Sequence, residues 1–222
     1  MSPDKIYFKN REVAAFRLLD ILPIDSMKLE DWTVIASSYG GYEIAKIIAD
    51  ELNSKYDIMF SAKITAPNND ECEIAVVTEH EEVLIHEELI KSFDISLDKI
   101  YDKSNKVYEE ILQNEVNRFR HGNKIEKFEN KNVLIVDEGI NTGLTMMACI
   151  KTAINLKAKS ISVATPILPT ASIPTIESIA DDLYFIKNLD HFISIDFYYD
   201  SLKEVSFEDL ENLKKENNVN SL

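Results

Sequence analysis

The chain has 222 residues, 45% hydrophobic and 9% aromatic, with 24 Lys and Arg against 39 Asp and Glu for a formal charge of −15. That length supports one substantial core, so a single domain over residues 1–222 is expected, with an N-terminal helix and a C-terminal segment packed on it. The acidic balance argues against nucleic acid and an anionic membrane as partners, because both call for a basic footprint, and no window of about 18 apolar residues suggests a span. Residues 1–10 show neither an apolar core nor a small-residue cleavage pattern, which points to the cytoplasm. The two cysteines, Cys72 and Cys149, lack metal-ligand spacing and are read as reduced structural thiols. A small anionic ligand stays open if its pocket is locally basic or rich in backbone N–H donors, and if a metal ion shares its charge.

In chain order, residues 13–22 form an amphipathic pattern with Ala14, Leu18 and Leu22 on one helix face. A buried strand is expected over 33–36, a helix over 42–52 and a strand over 58–64. Two short strands over 74–85 flank the acidic run Glu79, His80, Glu81 and Glu82. A long helix spans 97–120 and stops at Gly122. Then follow a β-branched strand over 133–136, a helix over 145–156, a strand over 160–165, a helix over 173–180, and strands over 183–186 and 192–199. The acid-rich stretch 204–216 reads as a surface helix without chemistry. This alternation predicts an α/β fold, a mostly parallel sheet with helices on both faces, in which ligands bind beyond the carboxyl ends of the strands.

The chain holds five glycines, Gly40, Gly41, Gly122, Gly139 and Gly143, against an average usage of about 7%. They fall in three loops, as expected where positive φ or close ligand approach demands glycine. Gly122 is explained by a helix stop. Gly139 and Gly143 lie instead between a buried strand and a helix, in the run 133–145, VLIVDEGINTGLT. Successive N–H groups of such a loop can cradle a phosphate, the next helix adds its positive end, and the hydroxyls of Thr142 and Thr145 can donate to phosphate oxygens. No Lys follows the second glycine, so this is not a Walker loop. Asp137 and Glu138, at the strand's carboxyl end, are placed to accept hydrogen bonds from a ribose diol beside the phosphate.

This run resembles the phosphoribosyl diphosphate (PRPP) signature of type I phosphoribosyltransferases. Tyr7, Phe8, Lys9, Asn10 and Arg11 are similar to the N-terminal Phe-x-x-Arg element of a bacterial branch of that family. Tyr39, Gly40 and Gly41 resemble its Arg-Gly-Gly turn, Lys63 to Pro67 its basic strand end, and Arg118 to Gly122 its arginine-bearing loop. The resemblance implies an enzyme that transfers a phosphoribosyl group to a nitrogenous acceptor with release of pyrophosphate. Its ligands would be PRPP or a nucleoside 5′-monophosphate, with Mg²⁺ carried mainly by the substrate and no dedicated protein metal site; a homodimer is left open. In the implied roles, Gly139, Ile140, Asn141, Thr142, Gly143, Leu144 and Thr145 form the 5-phosphate loop, and Asp137 and Glu138 hold the ribose. Ser37, Ser38, Tyr39, Gly40 and Gly41 wrap the pyrophosphate, helped by Lys63 and by Arg118 or Arg120 from a flap.

Three departures stand out: Tyr39 replaces the turn Arg, Ala62 and Lys63 replace an Arg-Lys pair, and Glu138 replaces a second Asp. They keep open a PRPP- or nucleotide-binding regulatory protein with weak or absent catalysis. Asn141 stands where purine transferases carry an Asp facing the base, so an anionic or intrinsically nucleophilic acceptor is expected. His80 and His86 suit a solvated hairpin better than a metal site, and for most of Phe192, Phe197, Tyr198 and Tyr199 core packing is a better reading than stacking on a base. A response-regulator receiver, whose strand and acid pair the run Val133 to Glu138 also resembles, would need more chain after Glu138 than is present.

Overall fold

The structure is a computed structural model that describes residues 7–67 and 69–219. Residues 1–6, which carry part of the stretch read for a leader, lie outside the described residues. Chain order is α1 (Arg11–Leu19), α2 (Ile24–Met27), β1 (Trp32–Ala36), α3 (Tyr39–Leu52), β2 (Lys55–Ile58), β3 (Ser61–Ala66), β4 (Asn69–Thr78) and β5 (Val83–Ile85). Next come α4 (Glu87–Ser92), α5 (Leu97–Val107), a π-helical turn (Tyr108–Leu112), α6 (Gln113–Arg120), β6 (Asn132–Val136) and α7 (Leu144–Asn155). The chain continues through β7 (Ser160–Pro169), α8 (Ile173–Glu177), β8 (Asp182–Leu189), a 3₁₀ turn (Asp196–Tyr198) and α9 (Phe207–Val219).

Five parallel strands form the main sheet in the order β2-β1-β6-β7-β8, and β3-β4-β5 form a separate antiparallel sheet. The main sheet is buried on both sides because its strands are apolar on both faces. Leu134 and Val136 of β6 meet Leu18 of α1 and Ile44 and Ile48 of α3, whereas Val133 and Ile135 face Met146, Ile150 and Ala153 of α7. Fully burying one such aliphatic side chain contributes roughly 1.5–3 kcal/mol. The connections from β1 and from β6 leave in opposite directions, so a crevice opens between these two strands at their carboxyl ends.

The expected strand over 58–64 is two strands, β2 and β3, in different sheets. The chain breaks between them where Met59 N–H donates to Ala36 O and Phe60 N–H to a Glu79 carboxylate oxygen (3.0 Å). The expected strand over 192–199 does not form. Tyr7 and Phe8 donate their N–H groups to Tyr198 O, a single bridge joins Phe8 to Tyr199, and Tyr198 and Tyr199 bury their rings beside Phe8 and Ile167. The helix over 97–120 is one rod with a π turn inside it. Among the described residues, no helix is long and apolar enough to cross a membrane.

Candidate functional site

A cavity of about 530 Å³ occupies the β1/β6 crevice, lined on one side by Ser37, Ser38 and Tyr39 and on the other by Asp137 to Gly143, Thr145 and Met146. Both flanks are helix starts. Ser38 caps α3, its hydroxyl accepting from Gly41 N–H (3.0 Å), and Gly143, at φ +82, caps α7 in a conformation that penalises any side chain. Thr142 Oγ1 accepts from Leu144 N–H at 3.3 Å, while the N–H groups of Asn141, Thr142 and Gly143 have no partner among the described residues. Two helices of 14 and 12 residues thus point their positive ends into one crevice, an arrangement suited to anions.

The two carboxylates between them are held differently. Asp137 accepts from the hydroxyls of Ser37 (2.7 Å) and Ser38 and from Glu138 N–H (2.8 Å). Glu138 is paired with Arg11, whose guanidinium also donates to Lys203 O at 2.7 Å, and Tyr199 hydroxyl fixes the Glu138 carbonyl at 2.6 Å. Burial raises both carboxyls above their ordinary range. The serine hydrogen bonds oppose this at Asp137; at Glu138 the Asp137 charge adds to it and Arg11 opposes it. Each carboxylate oxygen can accept more than one hydrogen bond, so capacity remains for ligand hydroxyls. A Cβ at Gly40 would overlap the Glu138 carboxylate, so any side chain there would push Glu138 from its place beside Arg11.

A family model for the phosphoribosyl transferase domain matches residues 4–201. The chain belongs to that family. The solved structure of TT1426 from Thermus thermophilus is similar to it at a TM-score of 0.74 and 20% identity, over 94% of this chain and 98% of that one. A purine phosphoribosyltransferase from Pyrococcus horikoshii aligns at a TM-score of 0.44 and 15% identity, over 83% of this chain and 85% of that one. The expectation of a type I phosphoribosyltransferase fold, and of an enzyme of that class, is therefore met.

Within this phosphoribosyltransferase fold, not every expected site residue faces the cavity. Gly40 and Gly41 are buried in the first turn of α3, and the side chains of Ile140 and Leu144 are in the core, leaving their backbone to the loop. Tyr39 lines the cavity, but its hydroxyl donates to Glu115 (2.5 Å) and its ring meets Phe60 and Phe207 edge-on. Lys63 reaches the cavity beside Glu73, at 3.3 Å. Arg118 and Arg120 are not brought there. Arg118 pairs with Glu211 at 2.7 Å over the Phe207 ring, and Arg120 is locked in a buried pair with Glu79 while donating to Asp57 and to Ile58 O. The arginine-bearing segment is the last turn of α6, so these side chains belong to a packed helix end rather than a flap.

Sequence reasoning gave Arg11 no role, and no local signal connects it to Glu138 across 127 residues. It also missed Glu73, Ile195 and Glu204 in the cavity wall. Glu73 has a side chain 8% exposed and one carboxylate oxygen without a partner. The acidic hairpin read as solvated buries Glu79 completely, whereas His80 is half-buried and His86 lines a neighbouring cavity behind the phosphate loop. The aromatics Tyr198 and Tyr199 are core residues, as expected. Four carboxylates, Glu73, Asp137, Glu138 and Glu204, face Lys63, the one lysine or arginine lining the cavity among the described residues. Among the described residues no three of these carboxylates, or of any His, Cys, Asp or Glu, are grouped to hold a metal ion by themselves, so a divalent cation here would be held mainly by its substrate, with the orphan Glu73 oxygen as a single added acceptor.

Proposed function

We propose that the chain acts as one domain to transfer the phosphoribosyl group of PRPP to an acceptor nitrogen, releasing pyrophosphate. The observation that carries this reading is the convergence of the α3 and α7 helix starts on a crevice floored by Asp137 and Glu138. The loop from Gly139 to Thr145 would take the 5-phosphate on its free N–H groups and threonine hydroxyls, and Asp137 and Glu138 would accept from the ribose hydroxyls. The α3 start, from Ser37 to Gly41, and Lys63 would receive the pyrophosphate. Mg²⁺ bound with the substrate would share the diphosphate's charge, and Glu73 and Asp137 are the carboxylates in position to meet it. The C1–O bond breaks with its electron pair leaving on pyrophosphate, and the acceptor nitrogen forms the new bond to C1 from the opposite face. Catalysis in this reading is positioning and electrostatics, with the acids facing the positive charge that builds on the ribose.

Asn141 shapes the choice of acceptor. Its amide can hydrogen-bond but cannot take a proton, which favours an anionic or intrinsically nucleophilic acceptor over hypoxanthine or guanine. A second reading, a PRPP- or nucleotide-binding regulator without turnover, is favoured by one observation: Tyr39 is turned to Glu115, and among the described residues Lys63 is left as the single cation toward the pyrophosphate side. The test is pyrophosphate release from PRPP and Mg²⁺ with hypoxanthine, guanine, adenine, uracil and orotate, for the native chain and for Asn141→Asp. Release with orotate or uracil supports transfer; release with hypoxanthine or guanine by the native chain overturns the acceptor argument. Silence with every base, while PRPP and ribose 5-phosphate raise the melting temperature and free ribose does not, favours the regulator. Equal stabilisation by ribose and ribose 5-phosphate overturns the phosphate-loop assignment.

A further inference from the structure

Behind the substrate crevice lies a second cavity of about 370 Å³, formed by β1, β2, the segment 121–131 and α9. Its size falls in the range of small-molecule sites, roughly 300–1,000 Å³. Its charge is opposite to that of the chain. Lys55, Arg120, Lys124, Lys131 and Lys214 line it against two acids, Asp57 and Glu126, in a protein whose acids outnumber its Lys and Arg by 39 to 24. Among the described residues, the side chains of Lys55 and Lys131 make no hydrogen bond or ion pair; Lys55 stands exposed at the rim and Lys131 is half-buried. Like charges gathered around one hollow raise its positive potential and draw an anion to it. The floor is apolar, built from Ile35, Ile125 and Phe128.

The strand between the two cavities is shared. Asp57 lines the second cavity, and Ile58, Met59 and Phe60 line the first. Arg120 faces the second cavity and donates to Asp57 (3.1 Å) and Ile58 O (2.8 Å). It also pairs with Glu79, whose other oxygen accepts from Phe60 N–H at 3.0 Å, and its guanidinium lies 5.1 Å from the Phe60 ring centre. An anion near Arg120 competes with Asp57 and Glu79 for the same guanidinium, and any shift of these partners moves the Met59–Phe60 wall of the substrate crevice.

We propose that this second cavity is an effector site for a small phosphorylated metabolite with an apolar or aromatic body, coupled to the first through Arg120. The coupling, though not the binding, rests on the reading of the first cavity as the PRPP site. The phosphate sits among Lys55, Lys131 and Arg120, and the apolar part lies on Ile35 and Phe128.

The experiment is calorimetric titration of AMP into the native chain and into Lys55→Gln/Lys131→Gln, with and without saturating PRPP and Mg²⁺. In the native chain, AMP binds at one site per chain that PRPP does not displace. The double variant loses at least about tenfold in affinity at that site while its melting temperature stays within a few degrees. Beyond direct competition at the first cavity, AMP at this site changes PRPP affinity by the factor by which PRPP changes its AMP affinity, as linkage requires, and this part of the mutual effect vanishes in the double variant. Inorganic phosphate binds the same site more weakly. Complete displacement of AMP by PRPP, or an AMP site that survives saturating PRPP and is indifferent to the two lysines, overturns the proposal. Unchanged PRPP affinity overturns the effector role, and phosphate binding as tight as AMP overturns the ligand class. If PRPP itself does not bind, the function proposed for the first cavity fails, whereas the lysine-dependent AMP site is still read independently.

Discussion

Two buried arginine–glutamate pairs flank the substrate crevice, and they differ in what the glutamate has left to give. Glu79 is fully buried and closed to a ligand: Arg120, Phe60 N–H and Ile125 N–H (3.2 Å) all donate to it. Glu138 is paired with Arg11 but keeps 17% of its side chain open, toward the cavity. The first pair joins β4, the β2–β3 break and the end of α6; the second aims a carboxylate at a ligand. The same ion pair is therefore structural or functional according to whether the glutamate is open to a ligand. The sharpest test of the contrast is Glu79→Ala against Glu138→Ala. Glu79→Ala leaves the buried Phe60 and Ile125 N–H groups without an acceptor and Arg120 with Asp57 as its one remaining carboxylate among the described residues, so it should lower the unfolding free energy, read from urea titration, by about 3–5 kcal/mol. Glu138→Ala should cost less, because Arg11 keeps Lys203 O and gains access to cavity water, yet it should abolish measurable PRPP binding. Similar destabilisation by both, with PRPP binding kept in Glu138→Ala, would erase the distinction.

Of the two glutamates, only Glu138 was legible in the sequence. Strand, acids, glycines and threonines are contiguous in residues 133–145, so their chemistry is written locally, and the parallel sheet follows from apolar runs buried on both faces. Glu79 acts on Phe60 and Arg120, 19 and 41 residues away, and nothing near any of the three announces the others. The same non-locality hid the break between β2 and β3 and the Arg11–Glu138 pair. The run from Phe192 to Tyr199 misled for another reason: its aromatic pattern suits a strand, but the rings are drawn to Phe8 and Ile167, and the backbone meets the N-terminal segment in one bridge rather than a ladder. The arginines of α6 were misplaced because a motif gives the residue type and not the partner that captures it.

A smaller effect separates Asp137 from its neighbour. Burial raises its carboxyl, as it raises Glu138, Glu79 and Glu115. A group raised in the folded state binds its proton more tightly there than in the unfolded chain. Its stabilising contribution is fully present below the unfolded value and is lost as pH rises through the folded one. This contribution to stability should therefore fall as pH rises above the ordinary carboxylate range, and Asp137→Asn should make that slope shallower. The same variant removes a charged acceptor for a ribose hydroxyl, worth about 1.5–3 kcal/mol, or roughly 10- to 150-fold in PRPP affinity, while inorganic phosphate binds as before. Parallel pH–stability curves for native and variant chains would place the titration elsewhere. Equal losses for phosphate and PRPP would mean that Asp137 shapes the loop rather than meeting the sugar.

The smallest effect concerns Tyr39, which stands where the resembling turn has Arg. Restoring Arg alone should gain less than about twofold in PRPP affinity, because Glu115 already accepts from this position and a guanidinium there would pair with it. Burial raises the Glu115 carboxyl, so it gains most from a nearby cation and competes well for it. Neutralising the competitor should release the new side chain. Tyr39→Arg with Glu115→Gln should improve PRPP affinity by roughly fivefold, about 1 kcal/mol, and pyrophosphate affinity by the same factor, leaving ribose 5-phosphate unchanged because the α7 loop is untouched. Isothermal titration of the three ligands into the native chain, each single variant and the double variant measures the coupling directly. A gain in Tyr39→Arg alone would mean that Glu115 does not capture the cation. A gain for ribose 5-phosphate equal to that for pyrophosphate would mean that the α3 start and the α7 loop have been assigned to the wrong ends of the ligand.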